Sequence, residues 1–181
     1  MQKTRVIAVL AATLLVPALA MAQKVSYDFD KSADFGALKT YALKEGTPVG
    51  QQLIDDRIVS AIEAALASKG LTKSASDPDV VVVYHVAFDK QKDISTFSSG
   101  YGGGYGPYGY GWGGGTTSTQ VRDILIGTLV IDMADAKKKQ VVWRGMGVKE
   151  VDTTAKPDKR DKSITNAVNK IFKNYPPKVK K

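Results

Sequence analysis

Residues 117–151 read TSTQVRDILIGTLVIDMADAKKKQVVWRGMGVKEV, and this stretch decides the fold. From 117 to 133 the run carries Val121, Ile124, Ile126, Leu129 and Ile131, which predicts one long strand. Ala134 to Lys139 is a polar, lysine-rich turn, and Gln140 to Val151 returns with Val141, Trp143 and Val148. The pattern is a β-hairpin. Trp143 and Arg144 are neighbours on its return strand, so they point to opposite faces. Trp143 is expected in the core, and Arg144 is expected to be solvated or paired with an acid.

Working outward, Val80 to Phe88 opens with four consecutive valines, the mark of a strand covered on both faces at its start. Asp77-Pro78-Asp79 is the turn that leads into it. Residues 24–31 alternate, with Val25, Tyr27 and Phe29 against Ser26, Asp28 and Asp30, and predict a half-buried strand. Lys39 to Leu43 is a second short strand, ended by Gly46, Pro48 and Gly50. Residues 51–69 place Ile54, Ile58, Ala61, Ile62, Ala65 and Leu66 at three- and four-residue spacing and predict a helix stopped by Gly70. Residues 161–175 predict a second helix, with Ile164, Ala167, Val168, Ile171, Phe172 and Tyr175 as its stripe and Pro176-Pro177 as its end. There is no internal repeat. The order β-β-α-β-loop-β-β-α predicts a two-layer α+β sandwich, a largely antiparallel sheet of about five strands with two amphipathic helices.

Between the two central strands the composition changes. Ten of the sixteen residues 100–115 are glycine, and the rest are Tyr101, Tyr105, Pro107, Tyr108, Tyr110 and Trp112. That much glycine carries too large a backbone entropy cost for regular structure, so a long Gly/Tyr-rich loop is expected. Its aromatics, Tyr101, Tyr105, Tyr108, Tyr110 and Trp112, are the candidate interaction residues, able to stack on a sugar or on a partner surface.

The first 22 residues bear on location. Lys3 and Arg5 precede an apolar run from Val6 to Leu19, and Ala20-Met21-Ala22 puts small residues where a signal peptidase reads. The run is short for a permanent membrane helix. The expectation is a signal peptide over 1–22 and a single α+β domain over 23–181, periplasmic or secreted. The absence of cysteine excludes disulfides, thiol catalysis, cysteine-ligated zinc and a lipid-bearing Cys. The chain carries a net charge of +8. Such an excess favours anionic partners, although export argues against nucleic acid.

No motif points to chemistry. G-x-G-x-x-G occurs at Gly104, Gly106, Gly109 and at Gly109, Gly111, Gly114, but a strand follows rather than the helix whose amides would hold a pyrophosphate. His85 is the only histidine and sits on the valine-rich strand, where a structural, hydrogen-bonded role is expected. Asp77 and Asp79, and Asp132 and Asp135, flank turns and are expected to bond turn amides. No catalytic, cofactor-binding or metal-ligating residue is assigned.

Several segments match a known family. Tyr27-Asp28-Phe29, Asp34-Phe35 and Lys39-Thr40-Tyr41 resemble the opening of the bacterial domain-of-unknown-function 4136 (DUF4136) family. Asp77-Pro78-Asp79 with the valine strand is similar to its middle motif. Gly127-Thr128-Leu129-Val130-Ile131-Asp132, Asp135-Ala136 and Val142-Trp143-Arg144-Gly145 are similar to its hairpin, and Ile171-Phe172 with Tyr175-Pro176-Pro177 to its end. The resemblance implies an exported domain of the cell envelope, often a lipoprotein, with no established activity and no assigned catalytic residues. The lipid-bearing Cys is missing, so membrane anchoring is not carried over.

These readings lead to an exported, non-enzymatic envelope accessory protein with a binding or structural role and no cofactor. Its candidate partners are an envelope protein or an anionic envelope surface, the latter met by the lysine-rich hairpin tip and tail. The competing expectation is an envelope-polymer hydrolase using carboxylates near the sheet edge. A pocket holding His85 with two carboxylates would favour the enzyme; a shielded His85 and a shallow surface would favour the interaction domain.

Overall fold

The computed structural model describes residues 23–99 and 116–178. The hairpin that opened the reading is β5 (Thr116–Asp135) and β6 (Gln140–Glu150), paired antiparallel. Its turn closes on Asp135, whose carboxylate accepts the N–H groups of Lys137 and Lys138, with Lys139 at a positive φ of 55°. Upstream lie β1 (Lys24–Phe29), β2 (Thr40–Thr47), α1 (Gln52–Ser68), β3 (Thr72–Lys73) and β4 (Val80–Ser99). Downstream are α2 (Pro157–Ile171) and a single 3₁₀ turn, Phe172–Asn174.

The six strands form one sheet in the order β1-β6-β5-β4-β2-β3. The pairs β1/β6, β6/β5 and β5/β4 are antiparallel, whereas β2 runs parallel to both β4 and β3. The fold is α+β as expected, but the sheet is mixed and six-stranded rather than largely antiparallel with five. The reason is α1. A helix inserted between β2 and β4 returns the chain to the starting edge, so the two strands lie side by side pointing the same way. The extra strand, β3, has two residues, too few to leave a periodic signal.

Both helices cover one face of the sheet. Ile58, Ala61, Ile62, Ala65 and Leu66 of α1 are buried with Val168 and Ile171 of α2, against Val80, Val82 and Tyr84 of β4, Ile131 and Met133 of β5 and Trp143 of β6. α1 ends as its sequence predicts. Gly70 takes φ 83° and Leu71 N–H reaches back to the Leu66 carbonyl, a stop that suits a residue without Cβ. Trp143 is fully buried. It stacks on Phe172 with ring centres 5.2 Å apart and meets Tyr175 edge-on at 5.5 Å. Gly145 and Gly147 allow α2 this close, because a Cβ at Gly145 would run into Ile171 and Trp143.

Four boundaries move by more than two residues. β2 runs four residues past Leu43 because the register shifts between Glu45 and Thr47, so the strand bypasses Gly46 instead of breaking there. α2 starts at Pro157, a residue suited to a first helical turn, and hands over to the 3₁₀ turn at Phe172. β4 continues past Phe88 to Ser99, through charged residues that hid its extended pattern. The valines of β4 are not covered on both faces. Val80 and Val82 are fully buried, while Val81 and Val83 face the side without helices and are half-buried by their strand neighbours.

Candidate interaction surface

β4 and β5 outrun the rest of the sheet. β2 leaves β4 at His85, and β6 leaves β5 at Ile126. Beyond that point, apart from the Val151 amide on the Leu125 carbonyl, Lys90–Ser99 and Thr116–Leu125 pair only with each other. At the rise of a strand, this two-stranded arm reaches about 30 Å. Among the described residues it has two open edges and no helix beneath it. Ile94 and Val121 lie directly opposite one another on it, 62% and 55% exposed, and Phe88 at its base is 47% exposed. A two-stranded ribbon is marginal in water by itself, so exposed apolar pairs on such a ribbon call for a covering partner.

At the root of the arm, where β6 peels away, lies a shallow notch of about 810 Å³ whose lining includes Lys90, Lys92, Arg122, Asp123 and Glu150 beside Ile124. Arg122 bridges it, with Nη2 3.7 Å from Asp93 and 3.5 Å from Glu150. These pairs are exposed and contribute little to stability.

The face of the sheet opposite α1 and α2 carries a second feature. Arg144 donates through Nε and Nη2 to the two carboxylate oxygens of Asp132, each at 2.6 Å. The pair is bidentate, and Asp132 is only 7% exposed, so the carboxylate raises the guanidinium pKa above its ordinary value. Around it sit Val81 and Val83 and the exposed Val141 and Met146. Arg144 thus takes the acid-paired option expected of it. Asp132 departs from expectation: it serves Arg144 across the ladder, and Asp135 alone holds the turn. The register explains this, because Asp132 and Arg144 are directly opposed on β5 and β6.

The remaining sequence candidates are occupied structurally. Asp79 accepts N–H bonds from Lys39 and Thr40, each 2.9 Å, and the Thr40 hydroxyl; the backbone bond from Lys39 is the largest cause of its lowered pKa. Asp55, which the sequence reading missed, is buried and accepts from the amides of Val49 and Gly50, tying the β2–α1 loop to the first turn of α1. His85 is half-buried, with Nδ1 3.0 Å from the Thr47 hydroxyl and its ring lying where a Cβ on Gly46 would stand. Burial pushes the phenols of Tyr84 and Tyr175 up to about 12, and for Tyr84 the Asp55 charge adds to it. Among the described residues no three His, Asp or Glu side chains gather as a metal site, and no helix is long and apolar enough to cross a membrane. The candidate loop residues Tyr101, Tyr105, Tyr108, Tyr110 and Trp112, and both G-x-G-x-x-G matches, lie outside the described residues.

Known proteins give the fold a context. The model of the domain of unknown function DUF4136 matches residues 25–177, and the chain belongs to that family. No curated protein matches it. A PDZ domain protein from Parabacteroides distasonis ATCC 8503 is similar in structure, with a TM-score of 0.56 at 17% identity over 86% of this chain. This chain spans only 36% of that protein's length. PelC from Paraburkholderia phytofirmans, solved as a dodecamer, is similar with a TM-score of 0.50 at 10% identity, over 83% of this chain and 95% of that one. At these identities the likeness is one of fold.

Proposed function

We propose that this member of the DUF4136 family is an exported accessory protein of the cell envelope that binds a partner through its β4–β5 arm and has no catalytic role. The observation that carries the reading is the arm itself, a ribbon with two open edges and an exposed Ile94–Val121 pair. The surrounding chemistry agrees with binding. Asp55, Asp79, Asp132 and Asp135 are all held by backbone amides or by Arg144, and His85 faces Thr47. The structural likeness to PelC, an assembly of copies, and to a PDZ domain protein also fits a binding role. The leader-like segment 1–22 supports export, with cleavage between Ala22 and Gln23.

Two measurements test this reading. The intact mass of protein recovered from the periplasm should begin at Gln23; a product that keeps residues 1–22 rejects export by cleavage. A variant with residues 90–125 replaced by Asn-Gly should keep its melting midpoint and lose capture of partners from envelope extract. Undiminished capture without the arm rejects the arm as the binding surface.

A further inference from the structure

We propose that the chain pairs with a second copy of itself through the open β5 edge of the arm, antiparallel, about a two-fold axis at Val121. The inference rests on the arm being the interaction surface and names its occupant. The two edges of the arm are not alike. The β4 edge carries Asp89, Lys90, Lys92 and Asp93 within five residues, a density of charge that guards a strand against further pairing. The β5 edge from Thr117 to Leu125 carries only Arg122 and Asp123 and no proline.

The open lane has its hydrogen-bonding groups in place. The amide of Val151 donates to the Leu125 carbonyl at 2.7 Å, so Leu125 presents its main chain to the side that β6 vacates. In an antiparallel ladder both main-chain groups of a residue point the same way and alternate along the strand. Asp123, Val121 and Thr119 therefore offer N–H and C=O groups to the empty lane.

A second copy can take that lane without opposing like charges, and one register also aligns the apolar pair of the arm. Centred on Val121, antiparallel pairing sets Gln120 against Arg122, Thr119 against Asp123 and Ser118 against Ile124, and no like charges meet. Centred on Arg122 or on Asp123 it sets like charges against each other, which is destabilising. The same register aligns Ile94 and Val121 with Val121 and Ile94 of the second copy, which makes one apolar row across four strands. Counted with Asp89 at its base, the arm's three acids, Asp89, Asp93 and Asp123, cancel its three bases, Lys90, Lys92 and Arg122, in a chain of net charge +8, so it matches its own copy rather than a polyanion.

The chain has no cysteine, so a single introduced thiol can form a disulfide only between copies. Across a hydrogen-bonded pair the Cα atoms lie about 5.5 Å apart, inside the disulfide range. With the chain expressed behind its own N-terminal segment, Val121→Cys should form dimers under mild oxidation and Lys92→Cys should not. Wild type should sediment as a dimer and Val121→Lys as a monomer of the same circular dichroism, with the wild-type midpoint alone rising with protein concentration. Self-pairing is overturned if Val121→Cys stays monomeric, if Lys92→Cys cross-links as well, or if wild type and Val121→Lys sediment alike. A monomeric wild type whose arm-replaced variant still loses envelope capture removes the self-pairing and leaves the arm reading intact. A Val121-linked dimer whose arm-replaced variant still captures partners does the reverse.

Discussion

The two ends of β4 and β5 are built on the same alternation and meet opposite fates. At the near end, Val80, Val82 and Tyr84 with Ile131 and Met133 are fully buried under α1 and α2. At the far end, Ile94 and Val121 pair across the same ladder and stay exposed. Strand formation therefore does not require burial here. Continuous pairing carries the ladder outward, while the stabilisation from excluded water accrues only where helices lie over the sheet. The near end supplies the fold and the far end supplies a surface.

The contrast yields perturbations of graded size. The largest belongs to Trp143, at the centre of the covered end. Replacing it with alanine should destabilise by about 3–5 kcal/mol, since the indole is fully enclosed by Phe172 and Tyr175. A denaturant midpoint close to wild type would show that the aromatic cluster does not hold the covered end together.

Gly145→Ala comes next. The added methyl meets Ile171 and Trp143 and should cost about 1–3 kcal/mol through overpacking. Val121→Ser on the arm removes apolar volume from an exposed site, so comparing the two melts sets the covered end against the open one.

Asp79 sharpens the contrast through pH. Its folded-state pKa is lowered, chiefly by the Lys39 amide, so its contribution is present above the unfolded value of about 3.9 and is lost as pH falls through the folded value. The melting midpoint of Asp79→Asn should lie below wild type at neutral pH and converge with it in acid. Parallel curves would show that the carboxylate does not brace β2 against β4.

The smallest effect is expected in the glycine-rich segment. Shortening residues 100–115 to a few residues should raise stability by only about 1 kcal/mol, because each halving of a loop saves about 0.6 kcal/mol of closure entropy. Loss of folding would mean that its tyrosines pack on the domain.

Much of the fold was legible, and the particular residues show why. The stripe from Ile54 to Leu66 and the stop at Gly70 are local signals, and α1 follows them within a residue at each end. Trp143, set among valines on a return strand, reads as core and is core. Strand β3 and the parallel placement of β2 were not legible, since neither leaves a periodic trace. The arm was half legible. Val121 and Ile124 marked β5, but Asp89 to Asp93 disguised the matching half of β4, so the protrusion was invisible until the register was known. The Asp132–Arg144 pair was narrowed to an acid and an arginine, and only the ladder showed which acid.

The sequence alone determined the α+β class, the two amphipathic helices, the long hairpin, the family resemblance and the cysteine-free chemistry, because each follows from residue type or from spacing along the chain. The tertiary structure decided the strand order, the face left without helices, the partner of Arg144 and the length over which β4 and β5 stand alone. Those properties depend on which distant segments come to lie side by side, and hydrophobic periodicity records the face a residue prefers without recording what will cover it.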